Sequence, residues 1–154
     1  MISPEVLRKY KFFGFLSEEY FDQVAMISEP VRWKAGEKVF ELDADANDLF
    51  LLEAGELELH YCVVDNLVSD KFKEFYVGNL NPGEPFGFSA LFEGLAYNAA
   101  CQATEDSQGI KIDAKKLLEL AGESPALGYA LMTEVAKAAF ARLDAVQIEL
   151  VAAR

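Results

Sequence analysis

The spacing of apolar residues along the chain changes twice, and each change marks a boundary between helical and extended structure. Near the N-terminus the apolar residues recur three or four positions apart, as on one face of a helix. Ser3-Pro4 predicts an N-cap with proline in the first turn, opening a helix to about Tyr10. Ser17-Glu18-Glu19 predicts a second helix that continues through Ile27-Ser28 and is limited by Pro30.

From Val31 the apolar period falls to two, which indicates strands that are buried on one face. Short alternating runs separated by turn residues are typical of a β-sandwich or barrel. Residues 99–103 and 109–112 are expected to pair with each other and close the sheet. The other predicted strands are 31–33, 39–40, 49–52, 57–64 and 75–80, with a polar turn at 43–48 and a polar connection at 65–73.

After residue 112 the helical period returns. Asp113 is predicted to cap a helix from Ala114 to Ala121, which Gly122 ends. Ser124-Pro125 opens a last helix that extends to about Val151. The predicted fold class is therefore α+β, with an antiparallel β-roll or jelly roll between helices. One domain, 1–154, is expected to comprise N-terminal helices over 1–30, the β-roll over 31–112 and C-terminal helices over 113–154.

The net charge of the chain argues against two classes of binding partner, nucleic acid and anionic lipid. Lys and Arg number 14 against 26 Asp and Glu, for a net charge of −12. A protein that binds nucleic acid or anionic lipid gains affinity from clustered basic residues, so neither direct nucleic-acid binding nor membrane binding is expected. The N-terminus does not read as a signal peptide and no apolar run is long enough to span a bilayer. Cys62 and Cys101 lack metal-ligand spacing, so reduced thiols in a cytoplasmic protein are predicted.

The residues give no positive support for an enzyme or a metal site. His60 is the one histidine, so a histidine-based metal or nucleophile site would have to use it. The polar turn resembles the start of a calcium loop, but Asp48 stands where glycine is required and Ala54 where glutamate is required. No catalytic residue, metal or tightly bound cofactor is expected, and a β-roll enzyme is the weakest of the hypotheses.

The segment from Pro82 to Ala103 has the frame of an anion-binding loop. A turn at Pro82-Gly83, a corner at Phe86-Gly87 and a short helix over 89–92 are predicted there. A second turn at Glu93-Gly94 and an extended run from Tyr97 follow. Backbone N–H groups in such a frame attract anions. Neither Arg nor Lys occurs in this segment, so the cationic side chains expected to complete the site are missing.

Four spaced motifs carry a family resemblance. They are Phe13–Ser17 (FGFLS), Lys34–Phe40 (KAGEKVF), Leu49–Leu57 (LFLLEAGEL) and Leu80–Gly87 (LNPGEPFG). In this order they resemble the cyclic nucleotide-binding domain, the effector domain of catabolite activator and Fnr-type regulators and of protein kinase A regulatory subunits. The resemblance spans nearly the whole chain and implies the family's double-stranded β-helix fold and a regulatory function in signalling.

The resemblance also implies where a ligand would bind, and two substitutions stand out there. In the family's phosphate-binding cassette a glutamate binds the ribose and an arginine pairs with the cyclic phosphate, whereas this chain has Phe88 and Asn98 at those positions. Phenylalanine cannot accept a hydroxyl proton, and asparagine lacks the charge and forked donors of guanidinium. The matching positions, taken as candidate ligand-binding residues, are Phe86, Gly87, Phe88, Ser89, Ala90, Leu91, Tyr97, Asn98, Ala99 and Ala100.

We therefore predict a stand-alone, non-enzymatic module that does not bind cyclic AMP or cyclic GMP in the usual way. It would act through another small, anionic ligand or through a protein partner. Phe86 and Phe88 could instead fill the pocket, and the sequence does not choose between these two possibilities. The alternative is a genuine cyclic nucleotide-binding protein that uses Asn98, Ser89 and backbone amides.

The last helix suggests an oligomer. In the transcription regulators of the family, the corresponding helix pairs with its counterpart, and a DNA-binding domain follows. Here no DNA-binding domain is expected after Arg154. A homodimer through this helix is predicted, with Leu131, Val135, Ala138, Arg142 and Val146 at its interface.

Overall fold

The computed structural model describes residues 1–64 and 72–154. Helix α1, Pro4–Arg8, begins at the predicted cap, where the Ser3 side chain accepts a hydrogen bond from the Glu5 amide. A 3-10 helix, Lys11–Phe13, and helix α2, Glu18–Met26, follow. Helix α2 ends two residues before the predicted end, because Ser28 already pairs with the last strand of the β-roll.

Two four-stranded sheets form the β-roll. The first has the order β1-β8-β3-β6 and the second β2-β7-β4-β5, and all pairings are antiparallel. The predicted α+β class with an antiparallel β-roll is confirmed. The strands are β1 Ser28–Trp33, β2 Lys38–Phe40, β3 Asp48–Ala54, β4 Leu57–Val64, β5 Phe72–Leu80, β6 Pro85–Phe86, β7 Ala100–Ala103 and β8 Ser107–Asp113.

The predicted pairing of the last two strands with each other is wrong. Strand β7 pairs with β2 and β4, whereas β8 pairs with β1 and β3 in the opposite sheet. The chain crosses between sheets over residues 104–106, so neighbouring strands in sequence become neighbours across the core. The extended run predicted from Tyr97 becomes a strand only at Ala100.

The predicted polar connection at 65–73 falls largely outside the described residues. Its last residue, Lys73, lies in β5, which begins at Phe72 and thus earlier than the predicted strand at 75. Strand β1 likewise begins ahead of the predicted boundary at residue 31.

Two C-terminal helices cover one side of the β-roll. Helix α3, Ala114–Glu123, begins where the Asp113 side chain accepts a hydrogen bond from the Lys116 amide. It continues through Gly122, contrary to the prediction, and ends where Ser124-Pro125 opens helix α4. Helix α4 spans Pro125–Ala152, close to the predicted extent.

The buried apolar side chains form two clusters. The first joins the N-terminal helices, one face of β3 and β8, and the first half of α4, and includes Phe13, Leu51 and Leu131. The second lies inside the β-roll and includes Trp33 and Phe50. Because the side chains of a strand alternate between faces, β3 supplies Leu49 and Leu51 to the first cluster and Phe50 and Leu52 to the second.

Candidate functional site

The cassette lies between β5 and β7 and is fastened to β3 at its start. Strand β6 pairs with β3, with Phe86 opposite Phe50. Gly87 then adopts a left-handed conformation with φ of 82°, and a 3-10 helix over Phe88–Leu91, here called the cassette helix, follows. An added Cβ at Gly87 would lie 3.2 Å from the Asp48 carbonyl oxygen, so both the dihedral angle and the close approach favour glycine.

The left-handed corner sends the two cassette phenylalanines in different directions. Phe86 is 3% exposed and stacks on Phe50 in the second cluster, with ring centroids 5.1 Å apart. Phe88 is half-buried against the first cluster, with its ring centroid 6.4 Å from that of Phe12. Both side chains are therefore anchored in core packing, and each presents part of its surface to the space beside the cassette helix.

That space is an open cavity of about 790 Å³ between the cassette and the second half of α4. One wall is aromatic and comes from the β-roll and cassette, with Phe40, Phe86 and Tyr97 among its members. The other wall comes from α4, where small residues such as Ala138 and Ala145 alternate with larger apolar and charged ones. Of the two possibilities left open by the sequence, an open space beside Phe86 and Phe88 is the one that the structure contains.

Seven of the predicted ligand-binding residues line this cavity. They are Phe86, Gly87, Phe88, Ser89, Tyr97, Asn98 and Ala99. Ala90 and Leu91 turn away into the first cluster, because the cassette helix has one face on the cavity and the other on the core. Ala100 also lies away from the cavity, since it is buried in β7 opposite His60. Ligand contact by the lining residues remains a prediction.

Tyr97 and Asn98 sit side by side but in different environments. The Tyr97 hydroxyl donates a hydrogen bond to the Asp48 carbonyl oxygen at 2.8 Å, and its ring stacks on Phe40 at 3.9 Å between centroids. Burial raises the pKa of this hydroxyl above its usual range. Asn98 is exposed at the rim of the cavity. Tyr97 thus fixes the backbone from which Asn98 projects.

The sequence interpretation missed a functional candidate on α4. Arg142, predicted as an interface residue, lines the cavity and donates from Nη1 to the Asn79 carbonyl oxygen at 3.1 Å. Its Nη2 atom is buried and has no hydrogen-bond partner among the described residues. Gly78 makes room for it, because an added Cβ there would lie 3.0 Å from Nη2. The sequence signal that could have identified Arg142 is its position as a lone arginine within an alanine-rich stretch of α4.

Part of the predicted interface stripe on α4 faces this chain's own body, and a dimer interface along the stripe remains a prediction. Leu131 and Val135 are 1% and 5% exposed in the first cluster, and Ala138, Arg142 and Val146 line the cavity. Several apolar residues of the helix are exposed, and two of them, Leu143 and Val146, also line the cavity. The exposed apolar residues include Tyr129, Phe140, Leu143 and Leu150, which are 79%, 72%, 51% and 65% exposed.

The other residues considered for chemistry lie apart from the cavity. His60 lies on β4, where its Nε2 is 3.0 Å from a Glu58 carboxylate oxygen. In the part of the chain that the structure describes, no group of three or more His, Cys, Asp or Glu side chains is arranged to hold a metal ion. Cys101 is fully buried and Cys62 partly buried, and neither is disulfide-bonded. Among the described residues, no helix has the length and apolar character needed to cross a membrane.

The architecture and the cavity define a class of protein, a β-roll whose glycine corner and short helix border a cavity under a long C-terminal helix. The sequence model of the cyclic nucleotide-binding domain matches residues 30–124, and the chain belongs to that family.

Solved structures agree with this membership. A protein from Geobacter metallireducens GS-15, provisionally assigned as cyclic nucleotide-binding, is 36% identical; the match covers 93% of this chain and 99% of that one, with a TM-score of 0.79. The sensor domain of the transcriptional regulator DNR from Pseudomonas aeruginosa is 19% identical, with 88% and 91% coverage and a TM-score of 0.70, and so supports the fold alone. A search of curated proteins finds no match to this chain.

Proposed function

We propose that this domain is a non-enzymatic regulatory module that senses a small ligand in the cavity between the cassette and α4. The observation that carries the proposal is the open cavity of about 790 Å³ beside the cassette. Pockets of roughly 300–1,000 Å³ are usual for small-molecule sites. Because the cavity is bounded by the cassette on one side and by α4 on the other, a bound ligand would contact both.

The ligand is proposed to differ from cyclic AMP and cyclic GMP bound in the usual way. Phe88 is packed against the first cluster, so the ribose side of the cassette presents an apolar ring instead of a carboxylate. Asn98 offers a neutral amide to the phosphate side. Replacing a charged hydrogen bond by none costs about 1.5–3 kcal/mol, which weakens binding by one to two orders of magnitude.

Cyclic nucleotide binding is retained as a second candidate, for one specific reason. Ser89 and Asn98 both line the cavity and both carry hydrogen-bonding side chains, beside the backbone of the cassette helix. Titration calorimetry with cyclic AMP and cyclic GMP separates the two candidates. We expect no binding at micromolar concentrations, and a dissociation constant in that range would favour the second candidate.

A neutral aromatic probe tests whether the cavity accepts a ligand at all. We expect naphthylmethanol to bind and the cavity-filling variant Ala138→Trp to abolish that binding, since Ala138 lines the cavity. The matched control is Ala152→Trp, which adds the same ring to the same helix at an exposed position away from the cavity. Equal binding by both variants, or no binding by the parent protein, would count against a cavity site.

We further propose that the domain forms a homodimer through the exposed stripe of α4 rather than through the stripe predicted from sequence. Phe140, Leu143 and Leu150 recur three and seven residues apart, so they lie along one seam of the helix as in a coiled coil. Solvent exposure of such a seam is costly unless another apolar surface covers it. A second copy of α4 is the occupant proposed, and a protein partner with a similar helix is the competing occupant.

Sedimentation of the purified chain tests the dimer. We expect a dimer at micromolar concentration and a monomer for Phe140→Asp, because a charge buried in the seam is unpaired. Phe140 is 72% exposed and does not line the cavity, so the change leaves the candidate ligand site intact. Ala152→Asp places the same charge on α4 off the seam and is expected to leave the dimer intact. A monomeric parent protein would instead favour a protein partner with a similar helix.

Four expectations from the sequence remain predictions. They are that the protein has no catalytic activity, does not bind nucleic acid, does not bind membranes and is cytoplasmic.

A further inference from the structure

Arg142 is the polar feature of the cavity that core packing does not explain. Its side chain crosses from α4 to β5, where Nη1 donates to the Asn79 carbonyl oxygen at 3.1 Å. Nη2 is buried without a partner among the described residues. A buried donor that lacks an acceptor is costly, and one on a charged group more so. An arginine held in this way is therefore suited to receive an anion.

The other charged residues around the cavity are already engaged or lie outward. Lys137 is paired with Glu134 at 3.2 Å, and its side chain is 69% exposed. Lys11 lies at the exposed edge of the cavity. The Glu84 carboxylate accepts a hydrogen bond from the Asn81 amide at 3.2 Å. Among the described residues that line the cavity, Arg142 is thus the cation with an unused buried donor.

The surroundings of Arg142 limit what the rest of a ligand can be. The aromatic wall includes Phe40 and Phe86, and the α4 wall next to the arginine is formed by small apolar residues such as Ala138 and Ala145. Such walls favour a flat or bulky apolar body and offer little to hydroxyl-rich groups. Arg142 also comes from α4 and not from the cassette, so the anion would lie at the helix side of the cavity.

We propose that the cavity binds an apolar organic monoanion, an aromatic carboxylate in the simplest case, whose carboxylate pairs with Arg142. This inference rests on the proposed function, because it names the ligand class of the same cavity. Guanidinium forms charge-assisted, forked hydrogen bonds to carboxylate. Nη2 is buried in the structure, so the guanidinium would turn this unpartnered donor toward the carboxylate as the ligand binds. The ligand would then tie α4 directly to its own anionic group.

The experiment compares naphthoate with its neutral analogue naphthylmethanol by titration calorimetry, using the full chain. We expect naphthoate to bind at least about ten-fold more tightly, from one charge-assisted hydrogen bond. Arg142→Met, which keeps an apolar stem, is expected to remove that advantage while binding of naphthylmethanol persists. Arg142→Lys is expected to restore part of the advantage. Lys137→Met is the matched control, a cation removed from the same helix and the same cavity, and should leave naphthoate affinity unchanged.

The outcomes separate this inference from the proposed function. If both probes bind equally and Ala138→Trp blocks both, the cavity binds ligands but the monoanion class is wrong. If neither probe binds, the proposed function fails together with the inference. If Lys137→Met weakens naphthoate as much as Arg142→Met does, the assignment to Arg142 is overturned. If Arg142→Met turns a dimer into a monomer, Arg142 serves a second copy of the chain, and the inference is likewise overturned.

Discussion

The two walls of the cavity are held in place by different means. On the β-roll side, Phe86 is stacked on Phe50 and the Tyr97 hydroxyl is bonded to the Asp48 carbonyl oxygen, so the wall belongs to the core. On the α4 side, the helix is buried only as far as Val135, and beyond it Arg142 donates a hydrogen bond to β5. One wall is therefore part of the close-packed core, whereas the other is a helix held mainly by its N-terminal half.

A ligand between such walls acts on them unequally. The β-roll wall has little freedom to respond, because its side chains are close-packed with the second cluster. The second half of α4 has fewer buried contacts, so we expect ligand binding to bias its position relative to the β-roll.

The largest effect is expected where α4 is fastened. Leu131→Ala removes a side chain that is 1% exposed in the first cluster and should lower the free energy of unfolding by about 2–5 kcal/mol. Leu143→Ala is the same substitution in the second half of the helix, at a residue that is 51% exposed. Urea unfolding of both variants in the monomeric Phe140→Asp background compares the two losses, and we expect the second to cost far less. Equal losses would contradict the proposed difference between the halves of α4.

The next effect concerns the corner of the cassette. Gly87→Ala forces a Cβ onto a residue with φ of 82° and within 3.2 Å of a backbone oxygen, at an expected cost of about 1–3 kcal/mol. Gly94→Ala is the matched control, because its φ is 80° and an added Cβ meets nothing within 4 Å. The difference between the two variants in urea unfolding isolates the steric part. Equal losses of unfolding free energy in the two variants would mean that the backbone at Gly87 adjusts to the added Cβ. The β-roll wall would then be less rigid than proposed.

Unfolding at alkaline pH tests whether water is excluded from the core behind the β-roll wall. Cys101 is fully buried in β7, and burial raises the pKa of its thiol to about 12 from 9.0. Between these values the unfolded chain has lost a proton that the folded protein keeps, so stability falls as pH rises, by about 1.4 kcal/mol per pH unit. Cys101→Ala should make unfolding free energy less dependent on pH in this window, while Cys62→Ala should change it less. An unchanged slope in Cys101→Ala would show the thiol to be accessible to water.

The smallest effect is expected at the hydroxyl that ties the cassette to β3. Tyr97→Phe removes the hydrogen bond to the Asp48 carbonyl oxygen and should cost about 0.5–1.5 kcal/mol. Tyr129→Phe on α4 is the control, since its side chain is 79% exposed. Both are measured by urea unfolding, and a larger loss from Tyr129→Phe would reverse the assignment of the rigid wall.

Local signals in the sequence predicted the ends of several elements well. Ser3, Asp113 and Ser124 each cap a helix where their side chains accept a hydrogen bond from an amide two or three residues onward. The prediction that Gly122 ends α3 was wrong. A glycine ends a helix only when the chain turns there, and here α3 ends where Ser124-Pro125 opens the next helix. The four family motifs likewise predicted the fold, since turns and strands recur within them in a fixed order.

Strand pairing between distant residues, and the side of a helix that faces the core, were harder to predict. The sequence placed residues 99–103 beside 109–112, yet the chain crosses between sheets and each strand pairs with partners dozens of residues away. It also placed Arg142 and Leu131 on one outward stripe, because helical spacing reports a shared face without reporting what that face meets. The cavity itself arises from the distance between α4 and the cassette, which no local pattern contains.

The order of elements and the glycine corner at Gly87 follow from the sequence, as do Phe88 and Asn98 at the positions where the family resemblance implies the ribose and phosphate partners. These depend on residue identity and on contacts within a few positions. The packing of Phe86 and Phe88 in different clusters, which leaves a cavity open beside them, depends on the tertiary structure. The same is true of Arg142, because its role depends on where the packing of Leu131 and Val135 sets the helix across the β-roll.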